Sequence, residues 1–343
     1  MRCENKPFGY VIHKIKRKLK EKITVIFEKQ IVDSYRAMMF ARCDDTETVF
    51  YFSSGDFPGM NREKFTFKSS RGHNLKGNIY FRDGFREGRL VVFDHGFGSG
   101  HTAYMKEIDL LTRAGYRVLA YDHTGCMRSG GEGAMGLAQS LCDLNDCISA
   151  IKSDKELSGL DISVMGHSWG AFSTMNIAAL HPEISHIVAF AGFVSVADML
   201  ATFFPGILRG YRRAVLKLER ETNPDFVDFN AVETLSNSDT KALLIYSDND
   251  VLCKKKHYNI LKAGLGEAEN VTLMLEKRKG HNPNYTEDAV IYLKDFIRKR
   301  SKLADSKNLT DEKKQAFVAS FDWHRMTEQD DAVWSKVLDH LES

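Results

Sequence analysis

The chain has 343 residues, of which 43% are hydrophobic and 27% charged, and its formal net charge is +2. That is ordinary globular composition with enough apolar residues for a large core, and the near-neutral balance gives no footprint for nucleic acid. Six cysteines (Cys3, Cys43, Cys126, Cys142, Cys147 and Cys253) include no Cys-x-x-Cys pair. Zinc therefore has no support, and reduced, mostly buried thiols in a cytoplasmic protein are expected. A Cys142–Cys147 bridge has nothing in the sequence that argues for it.

From about Tyr10 to Phe40 the pattern is helical, with Ile12, Ile15, Leu19, Ile23, Ile26 and Phe27 at three- and four-residue steps. Lys14, Lys16, Arg17, Lys18, Lys20 and Lys22 form the other face. Such a helix either lies on the domain with a solvated basic face or makes peripheral contact with an anionic membrane surface. No apolar core or small-residue cleavage site follows the basic stretch, so no signal peptide is expected. The apolar run Ile187 to Phe204 contains Gly192, Ser195 and Asp198. It reads as a buried strand running into a second element, not as a membrane span.

From Glu63 the pattern changes. Phe65 and Phe67 alternate with polar residues, a turn spans Ser70 to Asn74, and Leu75 to Phe81 follows as the second strand of a hairpin. Strands are then expected at Arg89–Asp94, Arg117–Tyr121, Asp161–Met165, His186–Ala191, Lys241–Tyr246 and Val271–Leu275. Helices are expected at Met135–Ser153, Trp169–Leu180, Lys254–Ala263 and Glu287–Arg300. The alternation implies an α/β fold, with a mostly parallel sheet covered on both faces. It breaks once, between Ala191 and Lys241, where an inserted helical cap is expected. The expected organisation is an N-terminal helical extension (1–58), a catalytic domain (59–300) with a cap at about 195–238, and a C-terminal helical extension (301–343).

Gly166-His167-Ser168-Trp169-Gly170 carries the chemistry. A Gly-x-Ser-x-Gly string arises by chance in roughly one chain of this length in ten. Its setting is far more specific: a strand directly before it and a helix directly after it. The glycines permit a turn too tight for side chains, and the serine oxygen stands at a helix N-terminus that favours negative charge. A serine hydroxyl needs a histidine base, and the histidine needs an orienting carboxylate. On an elbow of this kind they follow in the order Ser, acid, His. His281 lies in the loop after the last expected strand, at the same sheet edge as Ser168. His257 falls in a Lys-rich helix expected to be exposed, and His324 and His340 fall in the tail, outside the expected core. The acid is Asp248 or Asp250, both just beyond Ala242–Tyr246. Two N–H donors are needed for an oxyanion, and these are assigned to Trp169 and to Phe97 in the His95-Gly96-Phe97-Gly98 loop. His95 and His101 lack a third ligand at useful spacing, so no metal is expected. Phe203, Phe204 and Tyr211 of the cap suggest an apolar acyl pocket, or else the cap's own packing.

Taken together, these residues resemble the α/β-hydrolase superfamily from about Glu63 to Arg300. Tyr121-Asp122-His123-Thr124-Gly125 and Ser129-Gly130-Gly131 are similar to its Asp-x-x-Gly-x-Gly-x-Ser segment, although Met127 replaces the second glycine. The cap and elbow resemble the serine aminopeptidase, monoacylglycerol lipase and carboxylesterase branch, and that resemblance selects Asp250 over Asp248. It implies a serine hydrolase without cofactor acting on a small-molecule ester or acyl substrate, with Ser168, Asp250 and His281 as its triad. An amide hydrolase, a membrane-surface lipase and a catalytically silent binding protein are the alternatives.

Overall fold

The computed structural model describes residues 27–44, 49–304 and 309–343. The basic stretch of the expected N-terminal helix lies outside the described residues, and residues 27–39 are helical (α1). The strands are β1 (Asn61–Lys68), β2 (Asn74–Phe81), β3 (Arg89–Asp94), β4 (Arg117–Asp122), β5 (Asp161–His167), β6 (His186–Phe190), β7 (Lys241–Ser247) and β8 (Val271–Glu276). The helices after α1 are α2 (Met105–Arg113), α3 (Gln139–Ser153), α4 (Trp169–Asn176), α5 (Val196–Phe203), α6 (Arg212–Thr222) and α7 (Ala231–Ser236). They continue with α8 (Lys255–Leu265), α9 (Glu287–Ala304), α10 (Asp311–Ala319), α11 (Trp323–Met326) and α12 (Asp331–Leu341).

Among the described residues, eight strands form one sheet, ordered β1-β2-β4-β3-β5-β6-β7-β8. The β1–β2 and β2–β4 pairs are antiparallel, and every pair from β4 to β8 is parallel. The central strands are apolar on both faces because both faces are covered. Leu90 and Val92 of β3 point into one core with Leu144 and Ile148 of α3, Phe172 of α4 and Leu261 of α8. Val91 and Phe93 point the other way, onto Met105, Ile108 and Leu111 of α2 and Val333, Trp334, Val337 and Leu341 of α12. The tail was expected outside the core, but α12 packs directly on the sheet. Its apolar residues fall on one helical stripe, and the Trp334 ring lies 6.3 Å from that of Phe190.

The run from Ile187 to Phe204 divides into β6 and α5. The Ser195 hydroxyl caps α5 by accepting from the Asp198 N–H. Among the described residues, no helix is long and apolar enough to cross a membrane.

Trp334→Ala should cost about 3–5 kcal/mol of stability in urea unfolding, as expected for a buried aromatic. A loss within the ~0.5 kcal/mol usual for surface positions would place α12 outside the core.

Candidate active site

Parallel strands end along one edge of the sheet, and the loops after β3, β5, β7 and β8 meet there. Asp94 of β3 is in register with Gly166 of β5, so the His95–Ser99 loop adjoins the elbow. The elbow is forced by close packing. A Cβ on Gly170 would stand 2.1 Å from the Asp94 carbonyl oxygen, and one on Gly166 would stand 2.4 Å from the Gly170 carbonyl oxygen. Helix α4 thus starts immediately at the end of β5. Ser168 makes the turn at φ 57°, ψ −109°, a conformation costly for a non-glycine residue. Its N–H donates to the Phe190 carbonyl over 2.8 Å, which holds the turn against β6.

The structure brings Ser168, His281 and Asp250 into one hydrogen-bonded line. His281 Nε2 is 2.8 Å from Ser168 Oγ, and His281 Nδ1 is 2.7 Å from Asp250 Oδ2. A carboxylate only accepts, so Nδ1 carries the proton and Nε2 is free to accept from the serine hydroxyl. Asp250 is buried, and its other oxygen accepts from the N–H groups of Leu252 and Cys253 at 2.7 and 3.1 Å. Asp248 is employed differently, accepting from the Arg278 N–H over 2.8 Å in the loop that leads to His281. Between them, Asn249 accepts from the Gly280 N–H over 2.8 Å.

Phe97 and Trp169 lie on either side of the elbow, their rings 5.2 Å apart. Among the described residues, no group accepts a hydrogen bond from either backbone N–H. Phe204 is buried with its ring 6.2 Å from that of Tyr35 on α1, while Phe203 and Tyr211 are half-buried. A surface cleft of about 660 Å³ lies elsewhere, between α1 and α6, lined by Glu28, Val32, Arg36, Arg213 and Lys217.

His257 corrects an expectation. It is fully buried in α8, accepts from the Val194 N–H at Nδ1 over 3.3 Å, and meets the Thr202 hydroxyl at Nε2. Burial pushes its pKa down to about 4. His257, Leu261 and Leu265 recur every four residues, and that stripe was the overlooked signal. His95 and His101 have other partners. His95 Nδ1 donates to the Gly96 carbonyl and its Nε2 accepts from the His123 N–H, whereas His101 Nδ1 pairs with Asp122.

Two further groups complete the site. His167, the middle residue of the motif, donates from Nε2 to the His281 carbonyl over 2.8 Å. Its Nδ1 accepts from the Tyr104 hydroxyl over 2.9 Å, and that oxygen accepts from the Gly96 N–H over 3.0 Å. Burial, aided by nearby His281, pushes the His167 pKa down to about 3 and keeps the ring neutral. His123 is the opposite case. Burial pulls its pKa down, but Asp94 and Asp143 outweigh this and push it up to about 10. Its ring nitrogens lie 2.8 Å from Asp94 Oδ1 and 3.2 Å from Asp143 Oδ2, the former an ion pair by distance without hydrogen-bond alignment. The ring sits 4.7 Å from that of Trp169.

A family model described as serine aminopeptidase, S33, matches residues 87–259, just over half of the chain. The chain belongs to this family of α/β hydrolases. The fold is also that of the Pyrococcus furiosus esterase Pf2001, at a TM-score of 0.56 and 18% identity over 82% of this chain and 99% of that one. The acylaminoacyl peptidase of Pyrococcus horikoshii shares it at a TM-score of 0.50 and 16% identity, over 65% of this chain and 38% of that one. Epoxide hydrolase B of Mycobacterium tuberculosis (strain ATCC 25618 / H37Rv) is 31% identical over 113 residues, which span 31% of either chain. This member of the family therefore covers under a third of that curated relative's length.

Buried neutral histidines, His95, His167 and His257 among them, contribute to the acid response of this hydrolase. Burial holds His95, His167 and His257 at about 3, 3 and 4. Unfolding returns them to about 6.5, so the unfolded chain binds more protons below that pH. Their contribution is intact above about pH 6.5 and is lost as pH falls toward 3. Thermal unfolding should show Tm falling over that interval. His167→Gln keeps a donor for the His281 carbonyl but cannot be protonated, and its Tm should fall less.

Proposed function

We propose that the protein is a serine hydrolase that cleaves a carboxylic ester with a small or medium apolar acyl part, through an acyl-enzyme on Ser168. The observation that carries this is the line from Ser168 Oγ through His281 to Asp250, at 2.8 and 2.7 Å. In this reading His281 Nε2 takes the serine proton as Oγ attacks the ester carbonyl. The oxyanion forms beside the free N–H groups of Phe97 and Trp169, each worth about 3 kcal/mol in such a site. The imidazolium then gives its proton to the departing alkoxide. Water repeats the sequence on the acyl-enzyme and releases the acid, leaving Ser168 protonated again. Asp250 holds the imidazole in the required tautomer and stabilises its charged form.

An ester is favoured over an aminopeptidase substrate by where the cap's carboxylates are spent. Holding a substrate ammonium would require a free acid near the site. Glu219 is buried, accepts from the Tyr35 hydroxyl at 2.5 Å and from the Leu137 N–H at 2.9 Å, and is pushed upward in pKa by burial. Glu221 and Asp228 pair with Lys217 and Arg220, and Asp225 is on the exposed surface. The apolar residues Phe203 and Tyr211 are the cap's offering to an acyl group.

A fluorophosphonate probe should label the wild-type chain and not Ser168→Ala, and p-nitrophenyl ester turnover should vanish with the label. Asp250→Asn should retain the fold and lose about 10⁴-fold in kcat, as removal of the orienting carboxylate does in comparable triads. Labelling that persists in Ser168→Ala would refute the nucleophile. Turnover of aminoacyl amides alone would refute the ester preference, and a wild type that neither labels nor hydrolyses would be a binding protein.

A further inference from the structure

Cys43 and Cys126 stand opposite each other in a short parallel β-bridge. The Cys43 N–H donates to the Gly125 carbonyl over 2.9 Å, and the Met127 N–H donates to the Cys43 carbonyl over 3.1 Å. Arg42 adds guanidinium bonds to the Met127 and Gly131 carbonyls at 3.0 and 2.5 Å. Neighbouring strand backbones lie about 4.7–4.9 Å apart. That spacing is inside the roughly 4.4–6.8 Å between Cα atoms that a disulfide spans. Opposed residues in a bridge also project to the same side, so joining these sulfurs asks little of the backbone.

Both thiols are free, and they are unequal. Cys126 is fully buried, whereas Cys43 keeps partial exposure. The Cys126 thiol and the Gly98 N–H both adjoin the Cys43 sulfur. Against the opposing effect of burial, these bring the Cys43 thiol down to about 7. The Cys126 thiol moves the other way, held protonated by that same contact and by burial. A partly exposed, partly ionised thiol beside a buried protonated one is the arrangement of an attacking and a resolving cysteine.

We propose that Cys43 and Cys126 form a reversible disulfide when the protein meets hydrogen peroxide. The Cys43 thiolate attacks one peroxide oxygen, forming an S–O bond as the O–O bond breaks, and the departing hydroxide takes a proton and leaves as water. The Cys126 sulfur then gives up its proton and attacks the Cys43 sulfenic acid. The S–S bond forms, the S–O bond breaks, and a second water leaves with that proton. One peroxide gains two electrons and two thiols lose them. A low-molecular-weight thiol reverses the bond by exchange. The disulfide ties the segment after α1 to the loop after β4, alongside Gly98 and the Phe97 N–H. This inference does not depend on the proposed hydrolysis.

The test is hydrogen peroxide on the full chain near pH 7, followed by alkylation, digestion and mass spectrometry. The expected product is a Cys43–Cys126 cross-linked peptide, formed ahead of modification at Cys142, Cys147 or Cys253 and removed by reductant. Cys126→Ser should instead stop at a Cys43 sulfenic acid, trapped by a 1,3-dione. The wild-type result is decisive even if that variant does not fold. Cysteines 43 and 126 that both remain alkylatable, or a Cys43 that proceeds to sulfinic acid without cross-linking, would overturn the proposal. Fluorophosphonate labelling of the same reduced sample reports separately on Ser168.

Discussion

The site depends on the contact between the start of α4 and the end of β3. At Gly170 the helix backbone approaches the Asp94 carbonyl so closely that a Cβ would be 2.1 Å from it. Only a residue without a side chain permits this, and the approach leaves the chain no length for a gradual turn between β5 and α4. Ser168 must reverse direction in one residue, which is why its backbone is left-handed. The same compression puts the Trp169 N–H at the first position of a helix, where it has no intrahelical acceptor. It also brings the Phe97 loop alongside. Backbone strain at the serine and free donors next to it therefore have one steric cause.

Proximity alone does not align a histidine. His281 is carried by a loop, and that loop is tied to its surroundings at several points. Asp248 accepts from Arg278, Asn249 from Gly280, and the His281 carbonyl accepts from His167. The last tie continues through Tyr104 to Gly96, next to Phe97. The His95–Ser99 loop and the histidine loop are thus joined through the motif's own middle residue. His167 serves this purpose only while neutral, because a cation would have no lone pair at Nδ1 for the Tyr104 hydroxyl. Its burial supplies that condition.

The strands were legible because they are apolar runs bounded by charged or turn residues, and their observed ends fall within one or two residues of expectation for β3 to β8. Ser168 and His281 followed from chain order on a strand–turn–helix frame, which left Asp248 and Asp250 open as the acid until the family resemblance selected Asp250. What was not legible depends on distant contacts. Helix α3 was expected from Met135 but begins at Gln139. Met135 and Gly136 have positive φ, and the Gly136 N–H donates to the Met39 carbonyl, a partner nearly a hundred residues away in sequence. His257 was misplaced because three lysines precede it, although its four-residue stripe with Leu261 and Leu265 was present. The opposition of Cys43 and Cys126 has no local signal at all. It arises because residues 41–43 pair with the loop after β4.

Beneath Trp169 a buried imidazolium lies between two carboxylates. Such charges are seldom retained for stability, since an apolar replacement of both partners can do as well. Here the network supplies direction. Asp94 ends β3 and accepts hydroxyl hydrogen bonds from Tyr121 of β4 and Ser173 of α4. Asp143 of α3 accepts from the Thr124 N–H and hydroxyl and from Gln139. One cation thereby fixes two carboxylates whose remaining bonds reach β4, two helices and the loop after β4. Glycine contacts at the elbow set how close these elements come, but they resist sliding only weakly. Oxyanion donors must be held within about 0.5 Å to be effective. Hydrogen bonds from hydroxyl, amide and N–H groups to the two carboxylates provide that resistance, and His123, charged between them, holds both carboxylates in place.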